Sequence, residues 1–429
     1  MASGKLLQPG TVKMVRPPTP ALKPWRVALA GMTALAVAVG IGRFAFTPLL
    51  PMMLADGVTN LASASWLASA NYLGYLVGAL LCTFQPWLWQ KVGNLPPVNG
   101  PLLVRAGLVA TVVLTLGMAM YVPVAWPLMR FLAGVASALV FVYTSGWCLA
   151  QLARLDVPSM GALIYAGPGG GIVLSGLAAS GMVALHWSAA SGWLIFGLLA
   201  AALAALVWPI FTARHDLPGA SPQAGTATNA GADTIHGSTE LALLMFAYGL
   251  AGFGYIITAT FLPVIARHTL PSSILLDLFW PIFGLGVVIG ALIASRIRSQ
   301  GDQRLRLAAC YAVQALGITT SLALPSLAGF ALGSLLLGLP FTAITYFAMQ
   351  EVRRLRPTQV SSTMGLATAM YGLGQIIGPP LVAALLARSR SVGAGFDLSL
   401  EIAAVALAIG AGIYAAMSRL FPLNTRTLN

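Results

Sequence analysis

The chain has 429 residues, of which 58% are hydrophobic and only 8% charged, with a mean hydropathy of +0.86. Soluble proteins carry about 25% charged residues, so a water-soluble domain is excluded and a polytopic membrane protein is indicated. The net charge of +13 lies in short basic runs between apolar segments, as topology requires, and forms no nucleic-acid-binding block.

Residues 1–26 form a polar, proline-containing tail with Lys5, Lys13, Arg16, Lys23 and Arg26. The first apolar segment, about 27–54, is too long for a signal peptide and contains an arginine, so it is expected to stay as the first membrane helix. That arginine sits in Gly40-Ile41-Gly42-Arg43-Phe44-Ala45-Phe46-Thr47-Pro48-Leu49-Leu50-Pro51, 17 residues after Arg26 and 13 before Asp56. A charge near the middle of a span costs about 2.5–3.5 kcal/mol and normally faces a bundle interior or a wet cavity. The glycines and prolines around it predict an irregular helix, which membranes tolerate where backbone is buried in protein. A guanidinium pairs bidentately with carboxylates, so Arg43 is a candidate anchor for an anionic substrate. The alternative is a structural bond to main-chain carbonyls freed by Pro48 and Pro51.

Further apolar segments follow at about 61–89, 103–124, 126–152, 158–185 and 189–212, then at 239–266, 273–296, 305–324, 327–350, 360–387 and 398–420. Each is near or above the roughly 20 residues needed to span a bilayer. Residues 213–238 are rich in Gly, Ala, Ser, Thr and Pro and are expected to be a flexible linker between two six-helix halves, 27–212 and 239–420, with a tail over 421–429. Cys82, Cys148 and Cys310 fall inside apolar segments and no Cys/His cluster exists, so no disulfide framework, zinc site or other cofactor is expected. No segment gathers His, Cys, Asp and Glu in the way an enzyme would need.

With the N-terminus inside, eighteen lysines and arginines fall on inner segments and three (Arg267, Arg388, Arg390) on outer ones. This asymmetry puts both termini in the cytoplasm, expected for a multi-pass protein of a bacterial inner membrane.

The halves repeat each other. Gly40-x-Gly42 ending at Pro51 recurs as Gly252-x-Gly254 ending at Pro263, with an offset of 212 residues. Gly74-x3-Gly78 recurs as Gly286-x3-Gly290 at the same offset, and Gly161-x5-Gly167-Pro168 as Gly372-x5-Gly378-Pro379 at 211. Because each half holds an even number of helices, the repeat is parallel about an axis along the membrane normal. The fold class expected is therefore an all-α membrane protein, with twelve transmembrane helices in two bundles related by a pseudo-twofold axis.

After its tail the chain resembles the major facilitator superfamily. Gly161 to Gly171, with Gly167-Pro168-Gly169-Gly170-Gly171, is similar to that superfamily's fifth-helix motif, and Arg130-Phe131-Leu132-Ala133-Gly134 to its fourth-helix motif. The stretch around Arg43 resembles the first helix of the YbfB/YjiJ-type subgroup. One motif departs: the run after Gly78 lacks the usual acidic residue of the second-to-third helix loop, and its repeat has Ala294 there. The cytoplasmic gate must then be held differently.

The resemblance implies a central cavity lined by helices 2, 4, 5, 7, 10 and 11. The polar and aromatic candidates there are Asn71, Tyr143, Tyr165, Thr258, Tyr346, Tyr371 and Gln375, with Tyr255 as the repeat mate of Arg43. Arg130 occupies a motif position that implies proton coupling; the alternative is a side chain snorkelling to the interface. Asp277 is taken as the one plausible carboxylate inside a span, able to take up a proton or else to complement a helix start. Gly167, Pro168, Gly378 and Pro379 are backbone features for bending and close approach.

No phosphate-binding GxxxxGK[ST] pattern occurs. The function expected is secondary active transport by alternating access, coupled to protons, of a small organic anion such as a carboxylate. An exporter of neutral or amphipathic compounds is the alternative, and a non-transporting membrane sensor a minor one. One chain supplies both halves, so a monomer in the lipid bilayer is expected.

Overall fold

The computed structural model describes residues 23–93, 99–211, 237–271, 273–297, 301–357 and 359–423. Most of the expected linker and of the N-terminal tail lies outside them. Among the described residues twelve helices are long and apolar enough to span a membrane. They are α1 (Pro24–Ala55), α2 (Leu61–Gln85, its helix continuing to Val92), α3 (Gly100–Met118), α4 (Pro123–Arg154), α5 (Ser159–Ala184), α6 (Ala189–Val207), α7 (Gly237–Thr269), α8 (Leu275–Arg296), α9 (Gln303–Ala323), α10 (Leu327–Leu355), α11 (Ser362–Arg388) and α12 (Val392–Leu420). The face holding Pro24 is the N-side below; the face holding Ala55 is the far side.

Capping side chains mark where several helices begin. Asn60, Asn99, Ser188, Asp302, Ser326 and Ser391 each accept a hydrogen bond from a first-turn amide, at α2, α3, α6, α9, α10 and α12. Such caps satisfy amides that a helix start leaves without partners.

The two bundles are built on matching glycine crossings. A Cβ placed on Gly74 of α2 would sit 1.9 Å from the main-chain oxygen of Phe131 on α4. Its repeat mate crosses α10 in the same way: a Cβ on Gly286 would lie 2.6 Å from Leu335 O, and on Gly290, one turn further, 1.7 Å from Leu339 O. Helices that lack a hydrophobic drive to associate pack tightly only where small residues let backbones meet.

The irregular stretches lie near the middle of the molecule or at helix ends. α1 is an α-helix to Leu35, a π-turn over Ala36–Ile41, non-helical turns over 42–45, and α-helix again from Phe46. α5 opens as a 3-10 helix over Pro158–Ala166 and becomes α-helical at Gly167, with Pro168 in its first turn. Gly167 also faces α1 closely, since a Cβ there would be 2.2 Å from Met32 O. Gly378 packs on Ile256, and Pro379 lies inside an α11 helix that runs unbroken from Val360 to Arg388.

The halves are tied from mid-depth outward. Thr47 Oγ1 donates to Ala259 O (2.9 Å), Tyr72 and Thr260 share a hydroxyl bond (2.8 Å), Ser69 Oγ donates to Ile376 O (2.9 Å), and Ser180 Oγ to Asp277 O (3.1 Å). Residues 37–53 of α1 and 254–266 of α7 are buried on every side. A helix buried all round is wrapped by protein, so the far half of the central helix pair is closed.

At the N-side end of the second bundle, Arg304 of α9 is fully buried among carboxylates. It pairs with Glu240 of α7 (2.7 Å) and Asp302 (2.8 Å), lies 3.7 Å from Glu351 of α10, and donates to Met417 O and Phe421 O at the end of α12. Arg354 pairs with Glu240 and Glu351. This corrects the reading of Asp277 as the one intramembrane carboxylate: Glu240 and Glu351 lie within spans and are buried. Sequence placed them at segment ends, where water is the default neighbour; the buried Arg304 supplies the countercharge instead.

Candidate functional site

Proline chemistry builds the site. Pro48 has no N–H to give Phe44 O, four residues back. The amide of Thr47 turns to Phe44 O instead (3.2 Å), which leaves Arg43 O without its helical donor. Upstream, Gly42 N–H reaches Val37 O (2.8 Å) and Phe44 N–H reaches Val39 O (3.2 Å), both five residues back. Such π-turns interrupt the regular ladder and recur at functional sites.

Arg130 of α4 fills the gap. Its Nη2 donates to Arg43 O (3.0 Å) and its Nη1 to Gly42 O (3.3 Å), with the guanidinium carbon 5.0 Å from the Phe46 ring. Arg130 is 2% exposed, so the snorkelling alternative does not describe it. Asn71 of α2 stands behind it, donating to the main-chain oxygen of Arg130 (2.8 Å).

The carbonyl-binding role offered above as the alternative for Arg43 thus falls to Arg130. Arg43 is itself 5% exposed, and no carboxylate pairs with it among the described residues. Its Nη2 donates to Gln375 Oε1 on α11 (2.6 Å), and Gln375 Nε2 donates to the Tyr255 hydroxyl on α7. Its Nε has no acceptor. The faces of Tyr75 (4.0 Å), Tyr72 (5.3 Å) and Phe44 (5.3 Å) surround the guanidinium carbon. A desolvated cation–π contact is worth about 2 kcal/mol, so the rings offset much of the burial cost without neutralising the charge.

Arg43 and Tyr255 therefore meet through Gln375. Tyr371 stacks on Tyr255 (centroids 5.8 Å, 21°) and lies 4.8 Å from Tyr248. Phe341 stands edge-on to Tyr255 (5.1 Å) and to Phe44 (6.3 Å), joining the bundles. Thr258 is buried three residues beyond Tyr255, its hydroxyl without a partner.

Other sequence candidates lie elsewhere. Tyr143 is thirteen residues past Arg130 on α4, about 20 Å nearer the N-side at 1.5 Å per residue. Tyr165 sits in the 3-10 opening of α5 beside Phe141 (6.1 Å). Tyr346 is 42% exposed and edge-on to Phe347. Asp277 is in a 3-10 turn at the far-side start of α8, paired with Arg267. Tyr72, Tyr75, Phe44 and Phe341 were not singled out from sequence. The signal was present for two of them: Tyr72 and Tyr75 share a helical face at a spacing of three, beside Asn71.

Among the described residues no group of three His, Cys, Asp or Glu is arranged to hold a metal ion. The site instead presents two buried arginines without carboxylate partners, of which Arg130 is tied to main-chain oxygens, together with an amide, phenols and aromatic walls.

Comparison with known proteins adds the family context. The profile of a family described as "uncharacterised MFS-type transporter YbfB" matches residues 35–415. No curated protein matches the chain by sequence. Among solved structures, the nucleoside transporter NupG superposes with a TM-score of 0.68 in a mutant form, at 16% identity, over 91% of this chain and 99% of that one. A second NupG structure gives 0.64 at 15% identity, over 94% and 99%. At these identities the likeness concerns the fold.

Proposed function

The chain belongs to the MFS-type transporter family represented by YbfB, and from that premise we propose that it carries a small organic anion, such as a carboxylate, by proton-coupled alternating access. The observation that carries the substrate class is Arg43, buried at mid-span with no carboxylate partner and with Nε unbonded. A buried cation in this condition favours an incoming anion, because the guanidinium has already lost its hydration and only the anion's own desolvation opposes the charge-assisted pair. Gln375 holds the guanidinium in the meantime. A substrate carboxylate displaces Gln375 Oε1, so binding loosens one tie between the bundles as it forms another. Differential contact of this kind is what allows a ligand to shift a conformational equilibrium.

The excess of lysine and arginine on the N-side makes that side the cytoplasm. On this proposal the protein works as a monomer in a bacterial inner membrane, and the closed far half of the central helix pair is the part that must open to the outside. Protons are the proposed coupling ion. Asp277 is the proposed proton-exchanging group, and its pairing with Arg267 at the far-side start of α8 supports the reading. Family and fold indicate a transporter and not an enzyme.

The test is uptake into proteoliposomes with an imposed pH gradient, comparing carboxylates, nucleosides, sugars and cationic dyes. Carboxylate flux that the gradient drives and that Arg43→Ala abolishes is expected. Gradient-driven flux of nucleosides or dyes with none of carboxylates would replace this reading with the neutral or amphipathic one.

A further inference from the structure

We infer that Arg130 is a positioning residue: it stands in for the backbone donor that Pro48 displaces and so fixes the main chain from which Arg43 reaches the substrate. The inference rests on the anion reading above only for its transport arm.

Three observations lead to it. The register of α1 slips at Pro48, so that Thr47 N–H serves Phe44 O and not Arg43 O. The two carbonyls that Arg130 contacts, Gly42 O and Arg43 O, are those of the non-helical turn itself. An unpaired buried carbonyl costs free energy comparable to a lost hydrogen bond, and the planar arginine fork can serve two at once. Finally, Arg130 is anchored from behind, since Asn71 holds its main-chain oxygen and α2 presses against Gly134, where a Cβ would be 2.1 Å from Asn71 O. The order of support runs from Asn71 to Arg130 to the α1 backbone to Arg43. No carboxylate pairs with Arg130 among the described residues, so its geometry is that of a brace.

The experiment uses second-site rescue. In Pro48→Ala the restored N–H can take Phe44 O, releasing the Thr47 amide to Arg43 O, and the brace loses its purpose. Hydrogen–deuterium exchange is measured on the purified full-length chain, following peptides that cover residues 42–50. Arg130→Gln is expected to speed exchange there by about tenfold, the scale of a lost charge-assisted hydrogen bond, and Arg130→Gln with Pro48→Ala to return most of the protection. Arg130→Lys, which keeps one donor group on a flexible stem, is expected to fall between; it replaces Arg130→Gln with the same Pro48→Ala rescue should the glutamine variant not fold. This arm needs no substrate, so it stands or falls apart from the anion reading. In the transport arm, with benzoate as probe, Arg130→Gln raises KM with little change in kcat, and Pro48→Ala restores KM. Unchanged exchange in Arg130→Gln, or loss of gradient-driven flux that Pro48→Ala fails to rescue, would overturn the positioning role; the second outcome would assign Arg130 to coupling.

Discussion

Arg130 hydrogen-bonds the main-chain oxygen of Arg43 at 3.0 Å, so one buried arginine holds the backbone that the other extends from. Each is free of carboxylates among the described residues and keeps its Nε unbonded, yet Arg130 donates to two main-chain oxygens whereas Arg43 donates to the side-chain amide of Gln375, which a ligand can displace. Several measurable consequences separate the two.

Arg43→Ala is expected to lower apparent affinity for the transported anion by about 100-fold, in line with roughly 1.5–3 kcal/mol for a hydrogen bond to a charged group. Arg43→Lys keeps the charge and loses the fork, so it should retain part of the affinity. Concentration-dependent uptake checks both; equal kinetics in wild type and Arg43→Ala would make Arg43 structural.

Gln375→Leu removes the amide that occupies Arg43 in the closed structure. The ligand-free protein is expected to melt several degrees lower, while the anion binds several-fold more tightly because it no longer competes with Oε1. Thermal shift with and without carboxylate reads both. A weaker-binding Gln375→Leu would mean that the amide contacts the substrate directly.

Thr260→Val leaves the Tyr72 hydroxyl without its partner across the bundles. At about 1 kcal/mol for one neutral bond, the equilibrium should move roughly five-fold toward far-side opening. Labelling of a cysteine introduced at Leu50, which is fully buried in the closed half, measures this. The native cysteines at 82 and 148 are buried; Cys310, which is partly exposed, is replaced by serine in the labelled protein.

Arg304→Ala takes the buried countercharge from Asp302 and leaves Glu240 and Glu351 to share Arg354. Breaking a buried pair by removing one partner costs about 3–5 kcal/mol, so the variant should lose stability in detergent far beyond Arg419→Ala.

The same cluster predicts a pH dependence. Burial raises the Asp302 carboxyl, but bonds from the Arg304 guanidinium and amide outweigh it and hold the group below its usual 3.8. The stabilisation is therefore complete above pH 3.8 and is lost as pH falls through the lower folded value. Asp302→Asn should melt below wild type at neutral pH, and the gap should close as the wild-type carboxyl protonates. A gap that widens toward low pH would contradict this.

Spans, their repeat and the irregular first helix were legible in the sequence, because apolar length and glycine spacing are local properties. The pairing of Gly74 with Gly286 and of Gly78 with Gly290 could be found by counting, and the crossings they make join the second helix of each half to the fourth. The site was legible in part. Arg43, Tyr255, Tyr371 and Gln375 converge, since each lies near the middle of a central helix. The division of labour between Arg43 and Arg130 was not legible: it depends on which way two long side chains point. Nor was the burial of Glu240 and Glu351, which needs an arginine from a third helix that sequence places at a loop edge.

The twin glycine crossings recur in both bundles, whereas the arginine held by Gln375 stands in one of them and has a tyrosine as its repeat mate in the other. Motion and cargo are therefore written in separate residues. Lineages that share this frame can change what they carry by substitutions around one helix break, leaving the rocking surfaces untouched.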